Sequence, residues 1–153
     1  MKLECKSKFV FSIILALISL RAFSFDIPIK EFETDFCTMF PDGNENRKEC
    51  CIEHDIYYWL AGHKSLMDKS DLRLRSCVRT SGSWVIADIM YYGVRAGHYS
   101  PIQNKYKWGW AQKPGMNEKK IDPNTLENIL SHLKDKGISQ ETLKNVKKFY
   151  SSN

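Results

Sequence analysis

Cys50-Cys51-Ile52-Glu53-His54-Asp55-Ile56-Tyr57-Tyr58 decides the reading of this chain. The pattern is C-C-x-x-H-D-x-x-Y. Adjacent cysteines on a helix point apart, so each needs a distant partner. His54 brings an imidazole that works as a base near neutral pH. Asp55 places a hard oxygen ligand beside it. Positions four apart share a helix face. Cys50, His54 and Tyr58 therefore form one stripe, and Cys51 and Asp55 form another about 100° round the axis. The segment reads as a helix both stapled to its neighbours and armed.

The chain has 153 residues, the length of one domain. Lys2, Lys6 and Lys8 precede an apolar run from Phe9 to Leu20, and Ala22-Phe23-Ser24 then offers small residues at spaced positions. This order predicts a secretory signal peptide over residues 1–24. Arg21, directly after the run, argues against a longer membrane anchor. Without residues 1–24, Lys+Arg falls from 23 to 19 and Asp+Glu from 18 to 17, so the net charge falls from +5 to +2. So small an excess gives nucleic-acid binding no support. Cys5 leaves with the signal, and Cys37, Cys50, Cys51 and Cys77 remain. An even count in an exported chain implies disulfides, with three connectivities open. The expected location is secreted or periplasmic.

Cys37-Thr38-Met39-Phe40-Pro41-Asp42-Gly43-Asn44 reads as a loop. A helix should follow from about Asn46 to Ala61, with Gly62 as its stop. Ser65-Leu66-Met67-Asp68 looks like a capping box that opens a second helix, ending near Thr80. Ser83 can cap a third helix through about Tyr92. The stretch from Tyr92 to Gly115 looks irregular. Asp122-Pro123 starts a fourth helix running to about Lys136, and Ser139 caps a fifth to Tyr150. The lysine-rich sides of these last two helices read as solvated faces. Trp59, Trp84, Trp108 and Trp110 read as core, and none is assigned to a lipid interface. The expected class is all-α, with long loops held by disulfides.

The short link between the first two helices predicts an antiparallel pair. Residues at one level of such a pair have nearly constant index sums. Cys50 and Cys77 sum to 127, and His54 and Asp71 sum to 125. The difference is a slip of roughly 3 Å along the axis. Of the three connectivities, the one containing Cys50–Cys77 would therefore set Asp71 opposite His54, and would join Cys37 to Cys51. A histidine whose Nδ1–H is held by a carboxylate keeps its other nitrogen free to take a proton from water. Oxygen ligands at Asp55, at Asp42 and on the loop carbonyls suit Ca²⁺. Base, orienting acid and electrophile are then present without a serine or cysteine nucleophile. The implied reaction is hydrolysis of an ester by an activated water.

These residues carry a resemblance. C-C-x-x-H-D-x-x-Y, with Asp71 six residues before Cys77, resembles the secreted phospholipase A2 family. The match covers roughly residues 36–78. It implies a fold built on two antiparallel, disulfide-linked catalytic helices, and the pairing Cys50–Cys77 with Cys37–Cys51. It implies His54 as the base, Asp71 as its partner, Tyr58 as a hydroxyl donor to the dyad, Asp55 as a Ca²⁺ ligand and a phospholipid membrane surface as partner. The glycine-rich calcium loop of animal members is absent. Cys37–Gly43 stands in its place and resembles the Pro-Asp loop of microbial members. The expected organisation is a signal peptide (1–24), a phospholipase A2-like catalytic domain (25–115) and a helical C-terminal extension (116–153).

Competing readings are weaker. A nucleotide-hydrolase motif needs further spaced ligands, and His63, His98 and His132 lack that spacing. A zinc site on Cys50, Cys51 and His54 fails because the cysteines splay apart and export favours bridging. A peptidase lacks a recognisable nucleophile or metal triad. A catalytically silent secreted binding protein or toxin on the same scaffold is the alternative, and an intact His54, Asp55 and Asp71 speak against it. The sequence carries no signal for oligomeric state.

Overall fold

The computed structural model describes residues 30–38, 40–101, 107–112 and 119–153. The expected signal peptide lies outside the described residues. Among these residues the chain forms five helices and no strand: α1 (Glu45–Leu60), α2 (Lys64–Thr80), α3 (Trp84–Tyr99), α4 (Pro123–Asp135) and α5 (Gln140–Ser151).

Local chemistry sets most of the helix starts. Asn44 caps α1 by accepting the Arg47 N–H, Ser83 caps α3, Asp122 caps α4 ahead of Pro123, and Ser139 caps α5. The start of α2 differs from expectation. The cap is His63, whose Nδ1 accepts the Ser65 N–H, so the helix begins before the Ser65 box. The end of α3 also differs. The helix continues past Tyr92 to Tyr99, through Gly93 and Gly97, which cost roughly 1 kcal/mol each relative to alanine. Contacts with α2 offset that cost, because Arg95 is paired there with Asp68 and Asp71.

The C-terminus of α1 is completed by distant chain. A helix leaves its last carbonyls without partners. Here Gly109 N–H donates to the Tyr58 carbonyl at 2.7 Å, the Gln112 side-chain amide to Leu60, and the Tyr150 hydroxyl to Ala61 at 2.8 Å. Ala61 (φ 57°) and Gly62 (φ 116°) then turn the chain into α2. A Cβ on Gly62 would meet Leu66 Cδ1 at 2.9 Å, and the left-handed φ also favours glycine.

The helices pack in a row, α3 on α2, α2 on α1, α1 on α5 and α5 on α4. Two cores follow from this order. The larger joins Ile52, Ile56, Trp59 and Leu60 of α1 to Leu126, Ile129, Leu130 and Leu133 of α4 and Leu143, Val146 and Tyr150 of α5. Helices α4 and α5, which the sequence reading places in a C-terminal extension, thus share their core with the helix carrying His54. The smaller core holds Cys37, Cys50, Cys51, Leu74, Val78, Ala87 and Met90. Trp59 is core, as expected, whereas Trp84 is 71% exposed and corrects the reading of that residue as core. It sits at the first position of α3, on the solvent rim where Arg79 of α2 lies over its ring.

Candidate active site

Two disulfides frame the site. Cys50 bonds to Cys77, joining α1 to α2, and Cys37 bonds to Cys51, tying the 30–43 segment to α1. This is the pairing the sequence reading expects. His54 lies one turn beyond Cys50 and faces α2. Its Nε2 is 3.0 Å from Asp71 Oδ1. The Tyr58 hydroxyl donates to the same oxygen at 2.9 Å. Asp71 is fully buried, so an ionised carboxylate there needs these donors.

The nitrogen is the reverse of the one expected. Nε2, and not Nδ1, faces the carboxylate. It is the ring nitrogen farther from the backbone, and it spans the gap to the neighbouring helix. A carboxylate accepts only, so the proton on this bond belongs to Nε2. Nδ1 is left as the basic nitrogen, and it makes no hydrogen bond among the described residues. The Tyr58 ring packs on the imidazole, with centroids 4.4 Å apart, and meets Trp108 edge-on at 5.2 Å. Burial, and then the charge of Asp71, hold the Tyr58 hydroxyl well above the ordinary phenol range, so it remains a donor.

Asp55 points elsewhere, as its position 100° round the helix requires. Thr34 Oγ1 donates to Asp55 Oδ2 at 2.6 Å and accepts the Phe36 N–H at 2.9 Å. Burial pushes the Asp55 carboxyl up, the Thr34 bond pulls it down and the charge of Asp35 pushes it up again, to about 8. A carboxylate held in this way, beside a hydroxyl and a second carboxylate, has the environment that a bound cation relieves. Among the described residues no group of three or more His, Cys, Asp or Glu side chains is placed to hold a metal. A hard cation on Asp55 would draw further ligands from backbone carbonyls. Asp42 accepts the Cys37 N–H through Oδ1 at 3.3 Å, which closes the loop between them.

Three residues were not read as functional from the sequence. Arg95 of α3 donates to Asp71 Oδ2 at 3.4 Å, pairs with Asp68 and donates from its other terminal nitrogen to the Tyr99 hydroxyl oxygen at 3.0 Å. Its stretch looked irregular, and nothing local pointed to α2. Thr34 lies in a segment without a clear period. Glu53 is inside the quoted motif and is buried. The Tyr57 hydroxyl donates to its Oε1 at 2.8 Å, Arg73 pairs with the same oxygen, and the Asn145 amide donates to Oε2 at 2.9 Å. Glu53 thus links α1 to α2 and α5. Its only sequence signal is the four-residue spacing to Tyr57.

Chemically, a neutral His54 can accept a proton at Nδ1 while Asp71 stabilises the resulting imidazolium through Nε2–H. Comparison with family models, with curated proteins and with solved structures found no match.

Proposed function

We propose that the protein is a secreted or periplasmic calcium-dependent phospholipase A2, which hydrolyses the sn-2 ester of glycerophospholipids. The observation that carries this reading is the His54–Asp71 pair with Tyr58 on the same carboxylate oxygen, beside Asp55, on two disulfide-linked helices. The contacts Cys50–Cys77, Glu53–Arg73 and His54–Asp71 run down α2 as they run up α1, which supports the antiparallel arrangement of the resemblance.

In this reading His54 Nδ1 takes a proton from water. The hydroxide oxygen adds to the sn-2 carbonyl carbon. The tetrahedral adduct then collapses, the bond to the glycerol oxygen breaks, and the proton on Nδ1 passes to that oxygen. The products are a fatty acid and a lysophospholipid. Asp71 fixes the ring and balances its transient charge, and Tyr58 holds Asp71. Asp55 would hold Ca²⁺, with loop carbonyls and Asp42 as further oxygen donors. The ion would supply positive charge for the substrate phosphate and the developing oxyanion.

Fatty-acid release from dispersed phospholipid, with calcium and with excess chelator, tests the reading. Chelator should abolish turnover. His54→Gln should reduce it by roughly 10²–10⁴-fold, the range for general base catalysis, with far-ultraviolet circular dichroism unchanged. Asp71→Asn should lower it by less. Turnover that survives the chelator or His54→Gln would exclude the mechanism.

A further inference from the structure

Helix α3 is apolar on the face turned to water as well as on the face turned to the core. Val85, Ile89, Tyr92, Ala96 and Tyr99 fall within an arc of roughly 80° at 100° per residue, a strip about 21 Å long. All five are exposed, and the four larger ones are 51% to 70% exposed. No charged residue lies within the strip. The helix's own charges, Asp88 and Arg95, stand along one edge in ion pairs with α2. A helix turned to water carries its charges on the outer face; this one turns them to its neighbour.

The edge shared with α2 has its own order. Arg79 lies over the Trp84 ring at 5.0 Å, Arg75 over Tyr91 at 5.1 Å and Arg95 over Tyr99 at 5.2 Å. The strip is therefore bordered by three guanidinium groups against three aromatic rings, each guanidinium also paired with a carboxylate: Arg75 and Arg79 with half-buried Asp88, Arg95 with exposed Asp68 and buried Asp71. Guanidinium groups match phosphate oxygens in geometry and charge. Tryptophan and tyrosine beside an apolar ridge suit the boundary between headgroups and acyl chains. An apolar ridge of this length suits a helix lying along a lipid layer. Arg95 also touches Asp71. One residue thus joins this edge to the dyad.

We infer that the exposed face of α3 docks onto a phospholipid layer carrying anionic headgroups, with Val85, Ile89, Tyr92 and Tyr99 entering the acyl boundary and Arg75, Arg79 and Arg95 meeting phosphates. The partner rests on the phospholipase reading; the surface itself rests on the geometry of α3. Cosedimentation with vesicles of mixed phosphatidylglycerol and phosphatidylcholine tests it on the full chain. Ile89→Asp and Val85→Asp, both on exposed positions, should weaken vesicle partition by roughly tenfold or more. They should lower turnover on vesicles in proportion and leave turnover on a monomeric short-chain phospholipid unchanged. Trp84→Phe should remove a blue shift of tryptophan emission on vesicle binding. Ile89→Asp that binds vesicles like the wild type overturns the inference. So does a wild-type dimer that Ile89→Asp dissociates, without vesicle binding by either, which would make the occupant a second copy. Vesicle binding lost on Ile89→Asp, with no phospholipid hydrolysed by the wild type, supports the surface and rejects the phospholipase reading.

Discussion

Removing the disulfides one at a time should separate stability from the calcium binding proposed at Asp55. Cys50–Cys77 spans 27 residues of sequence and Cys37–Cys51 spans 14. Loop-closure entropy in the unfolded chain gives about 3.6 kcal/mol for the longer and about 3.0 kcal/mol for the shorter. Both double-alanine variants, Cys50→Ala with Cys77→Ala and Cys37→Ala with Cys51→Ala, should therefore melt at lower temperature, the first by roughly 10–18 °C. The functional effects should diverge. Without Cys50–Cys77, the His54–Asp71 contact keeps its anchors at Tyr58 and Arg95, and Asp55 keeps Thr34. Without Cys37–Cys51, the segment bearing Thr34 and Asp42 loses its covalent tie to the helix bearing Asp55. Calcium affinity, read by isothermal titration well below each melting point, should fall in the second variant and hold in the first. Equal loss of affinity in both would refute the reasoning, as would a stability loss below about 1 kcal/mol for Cys50–Cys77.

Deleting 138–153 should unfold the protein, because Leu143, Val146 and Tyr150 complete the core on α1; a truncated chain with a cooperative melt and native circular dichroism would count against this. Arg95→Met should lower kcat with little change in KM on monomeric substrate, and Arg95→Lys should restore part of it. Equal kcat in both variants would show that the positive charge at position 95, which faces Asp71, is immaterial. Asp88 supplies a pH dependence. The Arg75 and Arg79 guanidinium groups hold its carboxyl below the ordinary aspartate value of 3.8. A depressed pKa stabilises the fold above that value, and the contribution is lost as pH falls through the folded-state pKa. The seam between α2 and α3 should loosen below about pH 4, with Trp84 emission as its local reporter, and Asp88→Asn should remove that acid step.

The helices that carry the site were legible because their signals are local. Ser83, Asp122 and Ser139 cap where their side chains can reach nearby amides, and the two-helix register follows from index sums over a short link. The third helix was cut short at Tyr92 because Gly93 and Gly97 lower its intrinsic propensity, and the ion pairs that keep it helical come from α2. The orientation of the imidazole depends on the width of the gap between helices, which a linear pattern does not encode. Trp84 was read as core by residue type alone, and its position on the rim emerges only once the α2 side of α3 is known. The link of Glu53 to Asn145 spans 92 residues and leaves no local trace.

The way α1 ends sets when the helix bearing His54 can be completed. Its last carbonyls are satisfied by Gly109, Gln112 and Tyr150, and the Tyr150 bond closes a gap of 89 residues in sequence. A ribosome delivers those partners long after it has delivered His54. A nascent chain holding both members of the dyad would still lack the groups that finish the helix bearing the base. Completion of α1 is thereby timed by the arrival of the C-terminal helix, and under the phospholipase proposal the site would stay silent while the chain is being made.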